Sequence, residues 1–411
     1  MLSNIKGLLF GRVLTNLSDS LVYMAILWYF NKSFSSPLIT SSIFIIVSTI
    51  DLLSFSFGPL VDRVNSKRLL LVCTQVQILA SFSLILFLPF LEQSTSFWKI
   101  LIPIFFLVII LIASAIIYPL ESKMLPNLVS RDELVKVNSV FQLTYKTLNV
   151  FLDAASTIII SFISIKYTFI LTGIGFAAAW YFYRLIKLKD IDLVNKTRDL
   201  FGIQQYIVEL REGLKELKRH RKLLNSLYPL VIVNFFYGIF NSTLPRFSST
   251  YLSGSAFGYG LLLTFSSFGG MAGIAIMNFI NLKSVNDYNF IAFSYLCSGF
   301  FQMFLPLGIF INPVISIAGI FFSSAFIGMV NIMFMSLVQL TISEDVLGRV
   351  STINESLLSS MIPIGSLFGG LLVKYFNAVI PQYCYGISLM ILGASFLIQN
   401  RRNKKNKFER R

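Results

Sequence analysis

Residues 100–120 read ILIPIFFLVIILIASAIIYPL, with no charged side chain anywhere in the run. A helix of about 20 such residues crosses the roughly 30 Å hydrocarbon core of a bilayer. In lipid only helices and closed barrels satisfy their backbone polar groups, and barrel strands alternate apolar with polar instead of running solidly apolar. Outward from this run the pattern recurs along the whole chain. The apolar blocks predict helical spans over 8–30, 38–61, 69–91, 100–120, 139–165, 167–187, 226–248, 256–280, 288–311, 314–342, 352–373 and 379–400. The expected fold class is therefore an all-α integral membrane protein of about twelve transmembrane helices. Composition agrees: the 411 residues are 55% hydrophobic and 13% charged, against about a quarter charged in soluble domains.

The net charge of +15 invites a nucleic-acid reading, but its placement argues against one. Eleven basic residues fall between Arg184 and Lys222, and seven more follow Asn400. Lys and Arg gather this way in loops that stay on the cytoplasmic side. With both termini inside, the outer loops hold only Lys32, Lys99, Lys166 and Lys374, while Arg12, Lys146 and Arg246 lie within spans. The first apolar run has no small-residue cleavage site after it and is interrupted by Asn16 and Asp19, so it reads as the first span and not as a removable signal. The expected setting is the cytoplasmic membrane of a bacterium. Cys73, Cys297 and Cys384 all lie in apolar blocks without CxxC spacing, and His220 sits alone in a basic loop, so no disulfide, metal site or cofactor is expected.

The domain plan follows from the same map: a six-helix bundle over 1–189, a cytoplasmic linker over 190–225, a second six-helix bundle over 226–400 and a basic tail over 401–411. Within the linker, Leu200, Ile203, Ile207, Leu210, Leu214 and Leu217 recur at helical spacing among basic residues. Such a helix is suited to anionic lipid at the inner leaflet; a solvated connector is the alternative. A repeat supports two halves. Ser130-Arg131-Asp132-Glu133-Leu134-Val135 leads into the fifth span and Ser343-Glu344-Asp345-Val346-Leu347 into the eleventh, an offset of 213 residues.

The loop after the second span reads Gly58-Pro59-Leu60-Val61-Asp62-Arg63-Val64-Asn65-Ser66-Lys67-Arg68. Gly58 permits close helix approach, and Asp62 can cap a helix N-terminus and pair with a base. This loop resembles the signature loop of the major facilitator superfamily, and the resemblance extends over essentially the whole chain. Within that superfamily it looks most like the branch of macrolide-efflux proteins and siderophore exporters. The carrying residues are Asn16-Leu17-Ser18-Asp19, Leu125-Pro126-Asn127-Leu128-Val129, Asn138, Gly348-Arg349-Val350, Pro363, Gly365, Gly369 and Gly370. The fifth span lacks the glycine-rich antiporter motif of many drug exporters, and the fourth lacks the arginine that many drug–proton antiporters carry. The resemblance implies two bundles related by a pseudo-two-fold axis, alternating access, and a gate made of Gly58, Asp62, Arg63, Lys67, Arg68, Arg349 and Glu355.

Charges inside spans are the strongest functional signal. Each costs about 2.5–3.5 kcal/mol at the bilayer centre and marks a functional candidate. Asp19 and Asp51 fall roughly 15 Å from the cytoplasmic ends of their spans at 1.5 Å per residue. Gln142, Lys146, Asn149, Asp153 and Ser156 follow steps of four, three, four and three, which puts them on one face of the fifth span. Arg12, Asn16, Asp19 and Tyr23 do the same in the first. Arg12 and Asp19 are about 10 Å apart along one helix, so partners must come from neighbouring helices. Asp19, Asp51, Asp153 and Lys146 are the proton-coupling candidates, Asp19 first. A static ion-pair network is the alternative.

The second half offers only neutral groups at depth: Asn234, Tyr237 and Asn241, then Asn331 and Gln339. With Arg12, Asn16, Tyr23, Gln142 and Asn149 these are the candidate substrate contacts. Phenylalanine and methionine around them suit a bulky, partly apolar ligand. No GxxxxGK phosphate loop occurs and no nucleophile–base arrangement is recognisable, so enzymatic activity is not expected. The readings that remain are proton-coupled export of an amphipathic small molecule by a monomer, uptake by symport, and a receptor or scaffold without transport.

Overall fold

The computed structural model describes residues 2–53, 57, 64–93, 95–128, 151–186, 221–252, 256–277, 287–341 and 357–408. The helices are α1 (Leu2–Ser33), α2 (Pro37–Leu53), α3 (Ser66–Gln93), α4 (Ser96–Leu128), α5 (Phe151–Phe162) and α6 (Ile165–Leu185). They continue as α7 (Arg221–Tyr251), α8 (Ala256–Met277), α9 (Asp287–Gln302), α10 (Phe304–Ile311), α11 (Pro313–Thr341), α12 (Ile362–Tyr375) and α13 (Ile380–Phe408). Every expected span has a described helix within it, and among the described residues eight helices are long and apolar enough to cross a membrane.

Several helix ends differ from the expected spans, and three of the differences bear on the architecture. The ninth span is two helices, broken at Met303. Pro306 has no N–H and its ring crowds the carbonyl four residues back, at Gln302. The backbone answers with a tighter bond from Met303 N–H to Phe300 O. α4 runs to Leu128, past the expected end at 120, and so takes Glu121 into the helix. α13 continues to Phe408, through most of the basic tail.

The chain divides into two compact units. The first comprises Met1–Ser35, Ile46–Leu200 and Ser255–Gly260, and the second Ser36–Ile45, Phe201–Gly254 and Leu261–Arg411. In the first, α1 packs on α6 and α4, and α3 packs on the same two helices. Leu8, Leu70, Ile117, Leu120, Met124 and Tyr183 fill the space among them, fully buried. Asn65 accepts from the Arg68 N–H through its side chain, capping the start of α3. Lys67 donates to the Ile186 carbonyl at 2.6 Å, placing a cation on the C-terminal end of α6.

In the second unit α7 packs on α12 and α13, α13 on α9, and α9 and α10 on α11. Lipid tails are as apolar as leucine, so helices in a bilayer associate by close packing more than by hydrophobic exclusion. Small residues supply it here. A Cβ at Gly273 of α8 would land on the Ala325 carbonyl of α11, and one at Gly365 of α12 on the Phe235 carbonyl of α7. Gly370 lies against Ser41 and Leu38 of the α2 segment in this unit.

A carboxylate-lined cavity inside the first unit

α1 organises the site. Arg12 and Thr15 point toward α4 and α6, and Asp19, one to two turns further, meets α3 and α4. Arg12 donates from Nη1 to Glu121 Oε2 at 2.9 Å. Tyr183 of α6 donates to the other oxygen, Oε1, at 2.5 Å. Thr15 donates to the Arg12 carbonyl and sits 3.4 Å from the Tyr183 hydroxyl. The Arg12 guanidinium lies over the Tyr118 ring, 4.7 Å from its centroid. Gly11 makes this possible, because any Cβ there would run into the Tyr183 ring. Arg12 is 4% exposed and Glu121 not at all, so the pair is fully withdrawn from solvent. Its geometry satisfies the requirement that buried opposite charges be directly paired and hydrogen-bonded.

Asp19 has no base against it among the bonds described; neutral groups hold it. Ser114 of α4 donates to Asp19 Oδ1 at 2.7 Å, and Gln77 of α3 donates to the same oxygen at 3.1 Å. Gln77 Nε2 also donates to Ser114 Oγ at 2.9 Å. Asp153 of α5 accepts from Ser20 of α1 at 2.6 Å.

A cavity of about 350 Å³ opens among these groups. α1 lines it with Arg12, Thr15, Asn16, Asp19, Ser20 and Tyr23, and α2 with Val47 and Asp51. α4 contributes Leu111, Ser114, Ala115, Ile117 and Tyr118, and α5 Leu152 and Asp153. Among the described residues three carboxylates and one arginine thus face a common space, and that arginine is paired with Glu121.

The structure places Arg12, Asn16, Asp19, Tyr23, Asp51 and Asp153 around this one cavity. Gln142, Lys146 and Asn149 lie outside the described residues, as do Gly58, Asp62, Arg63, Arg349 and Glu355 and both copies of the 213-residue repeat. In the second unit Tyr237 of α7 stands beside Phe240 and Tyr385, with ring centroids 6.2 and 5.9 Å away. Asn331 of α11 is exposed, and Asn234 and Asn241 of α7 are half-buried. Gln339 belongs to α11, but its side chain lies outside the described residues.

Two first-unit residues that the sequence reading passed over are central. Glu121 fell one position beyond the span drawn at 100–120. Gln77 is uncharged and escaped a search for buried charge. The signal that finds both is the one used for the fifth span. Ser114, Tyr118 and Glu121 follow steps of four and three on α4, and Thr74, Gln77 and Ser81 steps of three and four on α3.

The family model of the Major Facilitator Superfamily matches residues 8–366. The chain belongs to this superfamily. It is a multi-pass membrane transporter, and family membership makes it a carrier of solutes and not an enzyme. A relative in Bacillus subtilis (strain 168) named "Putative bacilysin exporter BacE" is 24% identical over 369 residues, covering 89% of this chain and 87% of its own. The protein of the same name in Bacillus amyloliquefaciens is 23% identical over 368 residues, with the same coverage. Among solved structures, the peptide transporter POT in complex with sulfate superimposes with a TM-score of 0.69 at 11% identity, over 97% of this chain and 94% of that one. A mutant of the nucleoside transporter NupG gives 0.69 at 12%, over 96% and 99%. At such identities these structures speak for the fold alone.

Proposed function

We propose that this transporter exports a small amphipathic molecule across the bacterial cytoplasmic membrane in exchange for protons, by alternating access. The observation that supports the reading is the cavity on which Asp19, Asp51 and Asp153 converge beside the Arg12–Glu121 ion pair. A carboxylate facing a cavity between packed helices is placed to take up and release a proton as its surroundings change during the cycle. Asp19 is the first choice for that proton, since both its described partners are neutral; Asp51 is second and Asp153 third. The exporter name borne by the relatives supports the outward direction.

In this reading the bundles span 1–189 and 226–400, the 190–225 linker meets anionic lipid in the cytoplasm, and the 401–411 tail and both termini share that side. The monomer is the working unit. The loop around Asp62 gates the cytoplasmic side, and at the start of α3 Lys67 bonds the Ile186 carbonyl at the end of α6. Asn234, Tyr237, Asn241, Asn331 and Gln339 serve the substrate.

Proteoliposomes with an imposed pH gradient test this directly, using bacilysin, a macrolide and a siderophore as labelled probes. Accumulation of one probe against its gradient, with protons moving the opposite way, is the expected result. Probe and protons moving the same way would replace export with symport. No proton-linked flux of any of the three would remove the coupling claim.

A further inference from the structure

In the first unit α3 begins where α6 ends, and the two helices run side by side from that rim. Lys67 reaches the Ile186 carbonyl at 2.6 Å, and deeper along the seam a Cβ at Gly173 of α6 would lie 3.0 Å from the Phe82 ring of α3. The stretch from Gly173 to Ile186 is about 20 Å long at 1.5 Å per residue. One leaflet of hydrocarbon is roughly 15 Å deep.

The outward side of this seam is apolar. Val72, Val76, Leu79 and Leu86 of α3 are exposed at steps of four, three and seven, and Ile174 and Tyr181 of α6 at a step of seven. Each stripe ends at the rim in an exposed arginine. Arg68 precedes Val72 by one turn, and Arg184 follows Tyr181 by one turn. Neither arginine forms an ion pair with a described residue. α6 contains no acidic residue, and the one acidic residue of α3, Glu92, lies at its far end. With Lys67 the rim therefore holds three cations and, on these two helices, no nearby counter-charge.

Arg184 is placed unusually. An arginine at the end of a membrane helix ordinarily extends its head toward water. Here the guanidinium lies back over the Trp180 ring, 5.3 Å from its centroid and one turn nearer the bilayer. A guanidinium stacked on its face still presents its N–H edge, the edge that matches phosphate oxygens.

We propose that the α3–α6 seam seats an anionic phospholipid, with Arg68 and Arg184 on its phosphate and one acyl chain laid along the seam. The apolar seam below the cations selects a lipid over a free phosphate ion. The surplus of positive charge selects an anionic headgroup over a zwitterionic one, which brings a cation of its own.

Native mass spectrometry on the full-length, delipidated protein in detergent tests this, with phosphatidylglycerol and chain-matched phosphatidylcholine titrated separately. The first phosphatidylglycerol should bind more tightly than the first phosphatidylcholine. Arg68→Gln and Arg184→Gln should each weaken phosphatidylglycerol roughly five-fold, the equivalent of about 1 kcal/mol per basic residue. Lys166→Gln, at the opposite end of α6, should leave it unchanged. Phosphatidylcholine binding should be the same in all three variants, which shows that they remain folded. Equal affinity of the wild type for the two lipids would overturn the proposal. So would a phosphatidylglycerol preference that survives in the Arg68→Gln/Arg184→Gln double variant, or one that Lys166→Gln weakens as much as Arg184→Gln does.

Discussion

The two units solve the same packing problem with different chemistry. The interior of the first holds a buried ion pair, three cavity carboxylates and the amide and hydroxyls that bond them. Among the described residues of the second, the buried polar groups are uncharged: Ser298 bonds Ser323, Gln382 bonds Thr243, and Ser242 bonds the Ser366 carbonyl. Glycine-to-carbonyl approaches and stacked rings, such as Phe240 on Tyr385 at 4.8 Å, do the rest. The first unit therefore has groups whose charge can change, and the described part of the second has shape. Under the proposed exchange with protons, the first unit is the half that would bind them.

The largest effect should come from unbalancing the ion pair. Arg12→Met leaves the Glu121 carboxylate buried without its cation and should cost about 3–5 kcal/mol, read as a drop in thermal midpoint in nanodiscs. Adding Glu121→Gln should recover most of the loss, since Tyr183 keeps an acceptor. A double variant no better than the single would mean that Arg12 acts through something other than this pair.

A smaller effect, and one that belongs to the second unit alone, is expected at the glycines. Gly273→Ala puts a methyl onto the Ala325 carbonyl and should destabilise by about 1–3 kcal/mol. Gly270→Ala, whose Cβ would sit 3.9 Å from the Ser324 carbonyl, should be neutral or stabilising by about 0.5–1 kcal/mol from helix propensity. Equal effects at the two positions would argue that backbone approach does not hold α8 to α11.

A loss smaller than that at Gly273 is expected for Ser298→Ala. Its hydroxyl lies 3.0 Å from both Ser323 Oγ and the Ser323 carbonyl, and its loss should cost about 0.5–1.5 kcal/mol in the same melt. A cost as large as that of Arg12→Met would erase the contrast between the units.

The twelve spans were legible because lipid enforces length and apolarity on every crossing helix, and those are properties of local sequence. The convergence of Arg12, Asp19, Asp51 and Asp153 was half legible. Helical spacing put Arg12 and Asp19 on one face of α1, but which helix answers each of them depends on tertiary packing that no single segment encodes. Arg12 is expected at the cavity and lines it, and its guanidinium also bonds Glu121, a residue that the hydropathy boundary excludes. Gln77 was invisible for a different reason: an amide carries no charge, so nothing in composition distinguishes a buried functional glutamine from one at a helix end. Pro306 was present in the sequence throughout, but whether a membrane helix kinks or breaks at proline depends on how its neighbours satisfy the freed carbonyl.

The central claim is that a carboxylate of the first unit carries the coupling proton, and Asp19→Asn tests it most directly. Net proton-driven transport and substrate exchange at equal pH should be measured side by side, in the same proteoliposomes and with whichever probe the wild type accumulates. Loss of net transport with exchange largely retained is the predicted result. An Asp19→Asn protein that still moves the probe against its gradient at the wild-type rate would contradict it.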